Sequence, residues 1–307
     1  MSNSIAFRPR RLGHANLWVS DIEKSIQFYE ATLGLELVRR ERTLKMGFHS
    51  NGNTHHDIGM IEISRGEDRY GRDGKLQIPK TRGMAVGLNH LGWEMENERD
   101  VVEAYKRAQA LGHSDYRTAD HIISHSVYVP DPDGNMHEFY ADVLEDWRSV
   151  FNLELEDEVT AVWDPLNSTP SDVRNYPVDP PIQTVPHAPL HLLRITDATL
   201  ATGDLDRLVA FFTEVAGLTL QDKSKNEARF GGSAGGHDLR IVKAENGAKA
   251  GLMAFAFAVT DDCDIATAAK ALAAKGIAAT SSTSAQGPVL TLTDPDGFQI
   301  TFSKLPN

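Results

Sequence analysis

The stretch HANLWVSDIEKSIQFYEATLGLEL, residues 14–37, returns 183 residues later as DATLATGDLDRLVAFFTEVAGLTL, residues 197–220, without a gap. Each copy reads as an apolar strand, an amphipathic helix, a glycine and a second strand. Further out, GLNHLGWEM from Gly87 returns as GLMAFAFAV from Gly251, and YVPDPDGNMHEFY from Tyr128 as TLTDPDGFQITF from Thr291. The chain thus holds two similar halves, and each half holds two smaller modules. In the first module Ser20 and Glu23 form an S-x-x-E capping box, whose side chains satisfy free amides of the first helical turn. Ile22, Ile26, Tyr29 and Leu33 recur at helical spacing as one buried stripe, and Gly34 supplies a left-handed stop. The second helix carries Val101, Tyr105 and Ala108 before Gly112, and the third carries Leu205, Leu208 and Phe212 before Gly217. The fourth begins near Asp264, is rich in alanine and stops at Gly276. Alternating runs such as HDIGMIEIS and GPVLTLTD read as strands. DPDG at 131–134 and 294–297 reads as a tight turn between the last two strands. The expected fold is α+β, with four βαβββ modules paired into two domains.

Two segments interrupt the pattern. Residues 65–84 are charged and Gly-rich and read as a loop insertion; residues 164–190 hold seven prolines and read as an interdomain linker. The expected boundaries are 1–150 for a catalytic, metal-binding domain, 151–189 for the Pro-rich linker and 190–307 for a degenerate second domain without metal. The net charge of −12 argues against nucleic-acid or anionic-membrane partners, whose phosphates would repel it. A small anionic substrate remains compatible, because a pocket can be locally positive. Cys263 is the only cysteine, so no internal disulfide can form, as suits a reducing cytosol. The opening MSNSIAFRPRRLGH has no apolar run, so no signal peptide is expected. No stretch approaches the ~18 apolar residues of a membrane span, and a cytoplasmic location is expected.

Three residues of the first half stand out together. His14 opens the first strand of module one, His90 takes the matching place in module two, and Glu138 lies just past the DPDG turn. Their strands are equivalent elements of paired modules, so one concave sheet can bring them to a point. Two imidazoles and a carboxylate make the facial triad of non-haem Fe(II) oxygenases, which leaves coordination positions open. The repeat supplies an internal control: in the second half these places hold Asp197, Ala254 and Thr301. The ligand set is therefore not required by the fold.

With these features the sequence resembles the vicinal oxygen chelate superfamily: glyoxalases, bleomycin and fosfomycin resistance proteins, and type I extradiol (catechol 2,3-dioxygenase-like) dioxygenases. The resemblance is most specific in residues 11–145. HAN at 14–16 is similar to a segment of homoprotocatechuate 2,3-dioxygenase, which implies His14 as a metal ligand and Asn16 near bound oxygen. THHDIGM at 54–60 resembles the strand with the family's acid–base histidine, which implies His56. NHLGW at 89–93 resembles the strand with the second metal histidine, His90. Tyr128, ten residues before Glu138, matches the family's spacing of active-site tyrosine and metal glutamate. DHIIS at 120–124 resembles a pocket segment and implies His121. The stretch from His121 to Tyr128 is about two residues shorter than in homoprotocatechuate dioxygenase, and the ligands fall in the N-terminal half, whereas the familiar two-domain enzymes carry them in the C-terminal one. The resemblance implies a ring-cleaving dioxygenase acting on a catechol-type substrate with O₂, using Fe(II), with Mn(II) suited to the same donors, and a homo-oligomer.

In that chemistry a histidine near its ordinary pKa of ~6.5 takes a catechol proton and later returns one. His56 is the candidate, with Tyr128 hydrogen-bonding a substrate oxygen, Asn16 donating to oxygen, or serving as a cap, and His121 orienting from behind, or lying at the surface. Trp93 and Phe48 read as pocket wall or as plain core. His49, His125 and His137 read as bystanders, as does His55, which strand alternation turns away from His56. His237, which matches His56 in the repeat, reads as a structural relic. Two other functions fit parts of the pattern. A glyoxalase-like isomerase or thiol transferase would add a carboxylate, for which Glu62 is the candidate, and a non-catalytic aromatic-binding protein would need no triad.

Overall fold

The structure, a computed structural model, describes residues 4–153, 161–245 and 250–305. Its first half runs β1 (Arg11–Val19), α1 (Ile22–Ala31), β2 (Glu36–Glu41), β3 (Met46–Ser50), β4 (Ile58–Glu62), β5 (Arg69–Tyr70), β6 (Leu76–Ile78), β7 (Gly87–Glu94), α2 (Glu98–Ala110), β8 (Arg117–Asp120), β9 (Ser124–Pro130) and β10 (Met136–Asp142). The second half runs β11 (Leu192–Thr202), α3 (Leu205–Ala210), β12 (Thr219–Lys223), β13 (Glu227–Gly231), β14 (Leu239–Lys243), β15 (Gly251–Val259), α4 (Ile265–Ala274), β16 (Ala279–Ser284), β17 (Gly287–Thr293) and β18 (Gln299–Ser303). Each half closes into one eight-stranded sheet, in the order β2-β3-β4-β1-β7-β10-β9-β8 and, correspondingly, β12-β13-β14-β11-β15-β18-β17-β16. The fold is α+β with two domains, as the repeats predict. In each sheet the first strands of the two modules lie side by side and antiparallel, so β1 and β7 form the centre of one, β11 and β15 of the other.

The predicted stripe of α1 is observed: Ile22, Ile26, Tyr29 and Leu33 are all buried. The cap is different. Asp21, not Ser20, is the N-cap, accepting from Lys24 N at 3.1 Å. Ser20 instead donates its backbone N–H to Asp296 at 3.0 Å, and Glu23 pairs with Arg40. An Asp directly after the Ser competes for the same amides, and it carries a charge that suits a helix N-terminus. The insertion at 65–84 is not all loop. It contains the β5–β6 hairpin, and its return limb is pinned by Ser64 N donating to Gly83 O at 2.8 Å. The Pro-rich segment, whose residues 154–160 lie outside the described ones, is bonded along the first half: Ser171 N to Glu98, Asn175 to Asp142 O, and Gln183 N to Asn51 O.

One hydrophobic core runs through both halves, from Leu17 and Trp93 to Phe257 and Phe302. The halves also exchange hydrogen bonds. Ala6, Phe7 and Arg8 donate in turn to the carbonyls of Glu214, Val215 and Ala216, at the end of the π-helical turn (Phe211–Val215) that continues α3. The second DPDG turn grips α1, since Tyr29 OH donates to Asp294 at 3.0 Å. Leu12 N, two residues before His14, donates to Asp238 at 2.9 Å. Among the described residues no helix is long and apolar enough to cross a membrane.

Candidate metal centre

Register explains why three distant residues meet. His14 on β1 pairs with Gly92 on β7, and Gly92 pairs with Glu138 on β10. His90 lies two residues along β7, on the same face as Gly92, opposite Asn16 of β1. The result is a row of His14, Gly92 and Glu138 across three adjacent strands with His90 beside it. The middle position has to be glycine: a Cβ there would lie 2.1–2.4 Å from atoms of the His14 ring. Gly59 makes a similar space for Asn16, whose Oδ1 a Cβ would meet at 1.6 Å. Neither glycine stood out in the sequence, because each matters only through its cross-strand neighbour.

His14 Nε2 lies 2.9 Å and His90 Nε2 3.0 Å from Glu138 Oε2, and the two nitrogens are 3.4 Å apart. All three side chains are buried. His90 Nδ1 donates to Asn89 Oδ1 at 2.6 Å, which leaves the Nε2 lone pair facing inward. Burial first, against the pull of Glu138, lowers the His14 pKa to about 4, and burial likewise lowers that of His90. Burial pushes the Glu138 carboxyl up, but its bonds to His121, His14 and His90 outweigh this and hold it well below the usual carboxylate range. The site thus presents two neutral imidazoles and an ionised carboxylate, the protonation states that a metal ion requires. An octahedral ion with bonds of ~2.1 Å needs neighbouring donors about 3.0 Å apart, and the three distances fit.

Around this point the other expected residues gather. Asn16 Nδ2 donates to His90 Nε2 at 3.0 Å, while its Oδ1 is buried without a partner. Tyr128 OH donates to Glu138 Oε1 at 2.6 Å and lies 2.9 Å from His121 Nε2. Burial and then the Glu138 charge keep the Tyr128 hydroxyl protonated. The His56 ring centroid is 4.0 Å from that of His14, and both His56 nitrogens are buried with no hydrogen-bond partner. Burial, then His14 and His55, push its pKa well below the ordinary value. Asn16, Phe48, His56, His90, His121, Tyr128 and Glu138 all line one cavity of about 150 Å³.

One expectation is corrected, and several alternatives narrow. His55 is not turned away: β4 begins only at Ile58, so strand alternation does not govern residues 55 and 56. Both imidazoles line the cavity, and His55 Nδ1 lies 2.9 Å from Asp142. Glu62 is no fourth ligand. It meets Lys45 at 2.9 Å and the Ile22 N–H at 3.3 Å, and it takes no part in the cavity wall. Trp93 belongs to the core, its indole donating to His137 Nδ1 at 3.1 Å. His49 is buried, His125 pairs with Glu98, and His137 contacts Asp131, all away from the triad. His237 bonds to Gln221 at the surface of the second half.

Among the described residues the second sheet has no comparable centre. Ala256 occupies the place of Gly92, between Asp197 and Thr301. Burial, then Asp238, raises the half-buried Asp197 carboxyl from 3.8 to about 7. The folded state therefore holds a proton that the unfolded chain releases across this window, and stability falls as pH rises through it. Asp197→Asn is expected to be neutral near pH 4 and to stabilise by about 1–2 kcal/mol at pH 8, discounted for solvent access. Thermal melts at the two pH values check this, and an equal change in Tm at both would refute it.

The model of the Glyoxalase/Bleomycin resistance protein/Dioxygenase superfamily matches residues 11–139 and again 191–302. Metapyrocatechase 2 of Cupriavidus necator is 24% identical over 139 residues, 44% of this chain and 37% of that protein. Catechol-2,3-dioxygenase of Bacillus subtilis (strain 168) is 24% identical over 235 residues, 75% of this chain and 73% of that protein. The 2,3-dioxygenase LapB from Pseudomonas sp. KL28 shares the fold with a TM-score of 0.66 at 16% identity, covering 98% of this chain and 94% of LapB. The Mn(II)-bound glyoxalase from Novosphingobium aromaticivorans does so with a TM-score of 0.65 at 15% identity, covering 98% and 83%.

Proposed function

This chain belongs to the glyoxalase/bleomycin resistance protein/dioxygenase superfamily, and from that premise we propose that it is an extradiol dioxygenase, opening a catechol-type ring with O₂ at Fe(II) held by His14, His90 and Glu138. The observation that carries the reading is the pairing of two features in one cavity. One is the donor set of His14, His90 and Glu138, three protein atoms that leave positions open for substrate. The other is His56, a neutral base with two unpartnered nitrogens beside that set. An isomerase of the two-carboxylate kind lacks its fourth ligand here, since Glu62 is engaged elsewhere.

Bound iron would supply Lewis acidity that favours the deprotonated catechol and a redox path between the ring and O₂. The chain's own residues do the rest. His56 accepts a proton from the substrate hydroxyl, since its imidazole is neutral and unpartnered. Asn16 points its amide at the His90 edge of the site, where a small ligand would lie. Tyr128 remains protonated and fixes Glu138 through one oxygen, leaving Oε2 facing the imidazoles. His121 holds the Tyr128 hydroxyl from outside. Phe48 and Phe151 wall the cavity against water. Manganese(II) suits the same donors.

The test is anaerobic loading with Fe(II), addition of a catechol, and admission of air. Ring opening appears as a yellow semialdehyde with matching oxygen uptake. Metal-replete protein that consumes no oxygen with any of a series of catechols would overturn the proposal. His56→Ala is expected to keep its metal and lose about 10²–10⁴-fold in kcat, the usual worth of a positioned acid–base group. Unchanged turnover in that variant would remove His56 from the mechanism.

A further inference from the structure

The cavity over the triad contains four arginines, Arg39, Arg72, Arg82 and Arg117, but only two carboxylates, Glu41 and Glu138. In a chain of net charge −12 this is a local reversal. Arg39 is matched, its Nε donating to Glu41 at 2.9 Å, and Glu138 faces the imidazoles. Arg82 and Arg117 are different: among the described residues neither forms an ion pair with a carboxylate. Arg117 lies over the Tyr128 ring, 4.0 Å from its centroid. Arg82 is half-buried, and both burial and the neighbouring Arg117 lower its pKa. Both guanidinium groups act electrostatically on His90, so the pair sits within reach of the metal centre.

Arg82 is not at a loose loop tip. It ends the insertion, its N–H donating to Pro79 O at 2.9 Å. The next residue, Gly83, has φ +61° and packs so close to Trp18 that a Cβ would meet the indole at 2.4 Å. Arg117, which is exposed, begins β8 and lines the same cavity. A half-buried cation beside a second one is repelled and loses part of its hydration, an arrangement that an anion placed between the two relieves. Guanidinium groups match a carboxylate through paired N–H donors.

We propose that Arg82 and Arg117 form a receptor for a carboxylate substituent, so that the substrate is a carboxylated catechol rather than a neutral one. The catechol part of this statement rests on the ring-cleavage reading; the anion preference does not. A neutral ring bound in the same place leaves the half-buried Arg82 cation uncompensated, which makes the pair a device of exclusion as well as attraction.

The experiment is calorimetric titration of the metal-loaded protein under argon with 3,4-dihydroxyphenylacetate and with its carboxamide. The acid is expected to bind at least about tenfold tighter, with the preference shrinking as salt rises. Arg82→Gln is expected to collapse the ratio toward one, and Arg82→Lys to restore part of it. Equal affinity of the unmodified protein for acid and amide overturns the inference, even if catechols are cleaved. A preserved acid preference with no ring opening in air keeps the receptor and overturns the dioxygenase reading instead.

Discussion

Glu138→Ala is expected to fold, to retain no iron after anaerobic dialysis, and to lose ring-cleaving activity by more than about 10³-fold. The carboxylate is the only anion among the three donors, and it alone balances part of the charge of a divalent ion in a buried site. Without it two neutral imidazoles remain, 3.4 Å apart, with nothing to oppose the cost of desolvating the metal. The same change removes the partner of Tyr128 and His121, so those groups lose their alignment too. Thr301→Ala, at the equivalent place in the second half, is the control and is expected to be silent in both measurements. Elemental analysis after dialysis reads the metal, oxygen uptake reads the activity, and circular dichroism reads the fold. Full metal content with native turnover in Glu138→Ala would dismantle the centre as described here.

The second large effect comes from a residue with no chemistry at all. Gly92→Ala adds one methyl group to β7, where the backbone is ordinary strand and alanine is acceptable. That methyl would sit 2.1 Å from His14 Nε2, the atom that faces Glu138. The His14 ring must swing away, and its donor atom leaves the triad. The expected result is a folded protein, with Tm changed by about a few degrees, whose metal affinity falls by about 10²-fold or more. Competition against a chelator measures this. The mirror change, Ala256→Gly, opens the same space in the sheet that has no ligands, and should leave metal affinity alone. Native affinity in Gly92→Ala would mean that the row across β1, β7 and β10 does not set the geometry.

The fold was highly legible because repetition does the work that single elements cannot. One strand-helix-strand reading is ambiguous, but four in register, with shared glycine stops and two DPDG turns, leave few arrangements. The triad was legible for the same reason, since paired modules put equivalent strands at the sheet centre. What stayed hidden was everything that depends on neighbours across the sheet. Gly92 and Gly59 look like ordinary strand glycines until β1 is laid beside them. Asn89 fixes the tautomer of His90 but reads only as a polar residue next to a histidine. Strand periodicity puts His55 and His56 on opposite faces, and it fails because the strand starts two residues later. The Ser20 cap failed through local competition from Asp21. Arg82 and Arg117, 35 positions apart on an insertion and an edge strand, gave no sign that they share a cavity.

The hydrogen bonds exchanged between the halves limit how far the two repeats can act independently. The strand that carries His14 is clamped at Leu12 by Asp238, and the helix that follows it is held by the turn at Asp294. The second half thus serves as a splint for the half that carries the His14, His90 and Glu138 cluster. Severing the chain near residue 150 would strip away buried apolar surface and these anchors together. The triad of the first half therefore rests on anchors that the second half supplies.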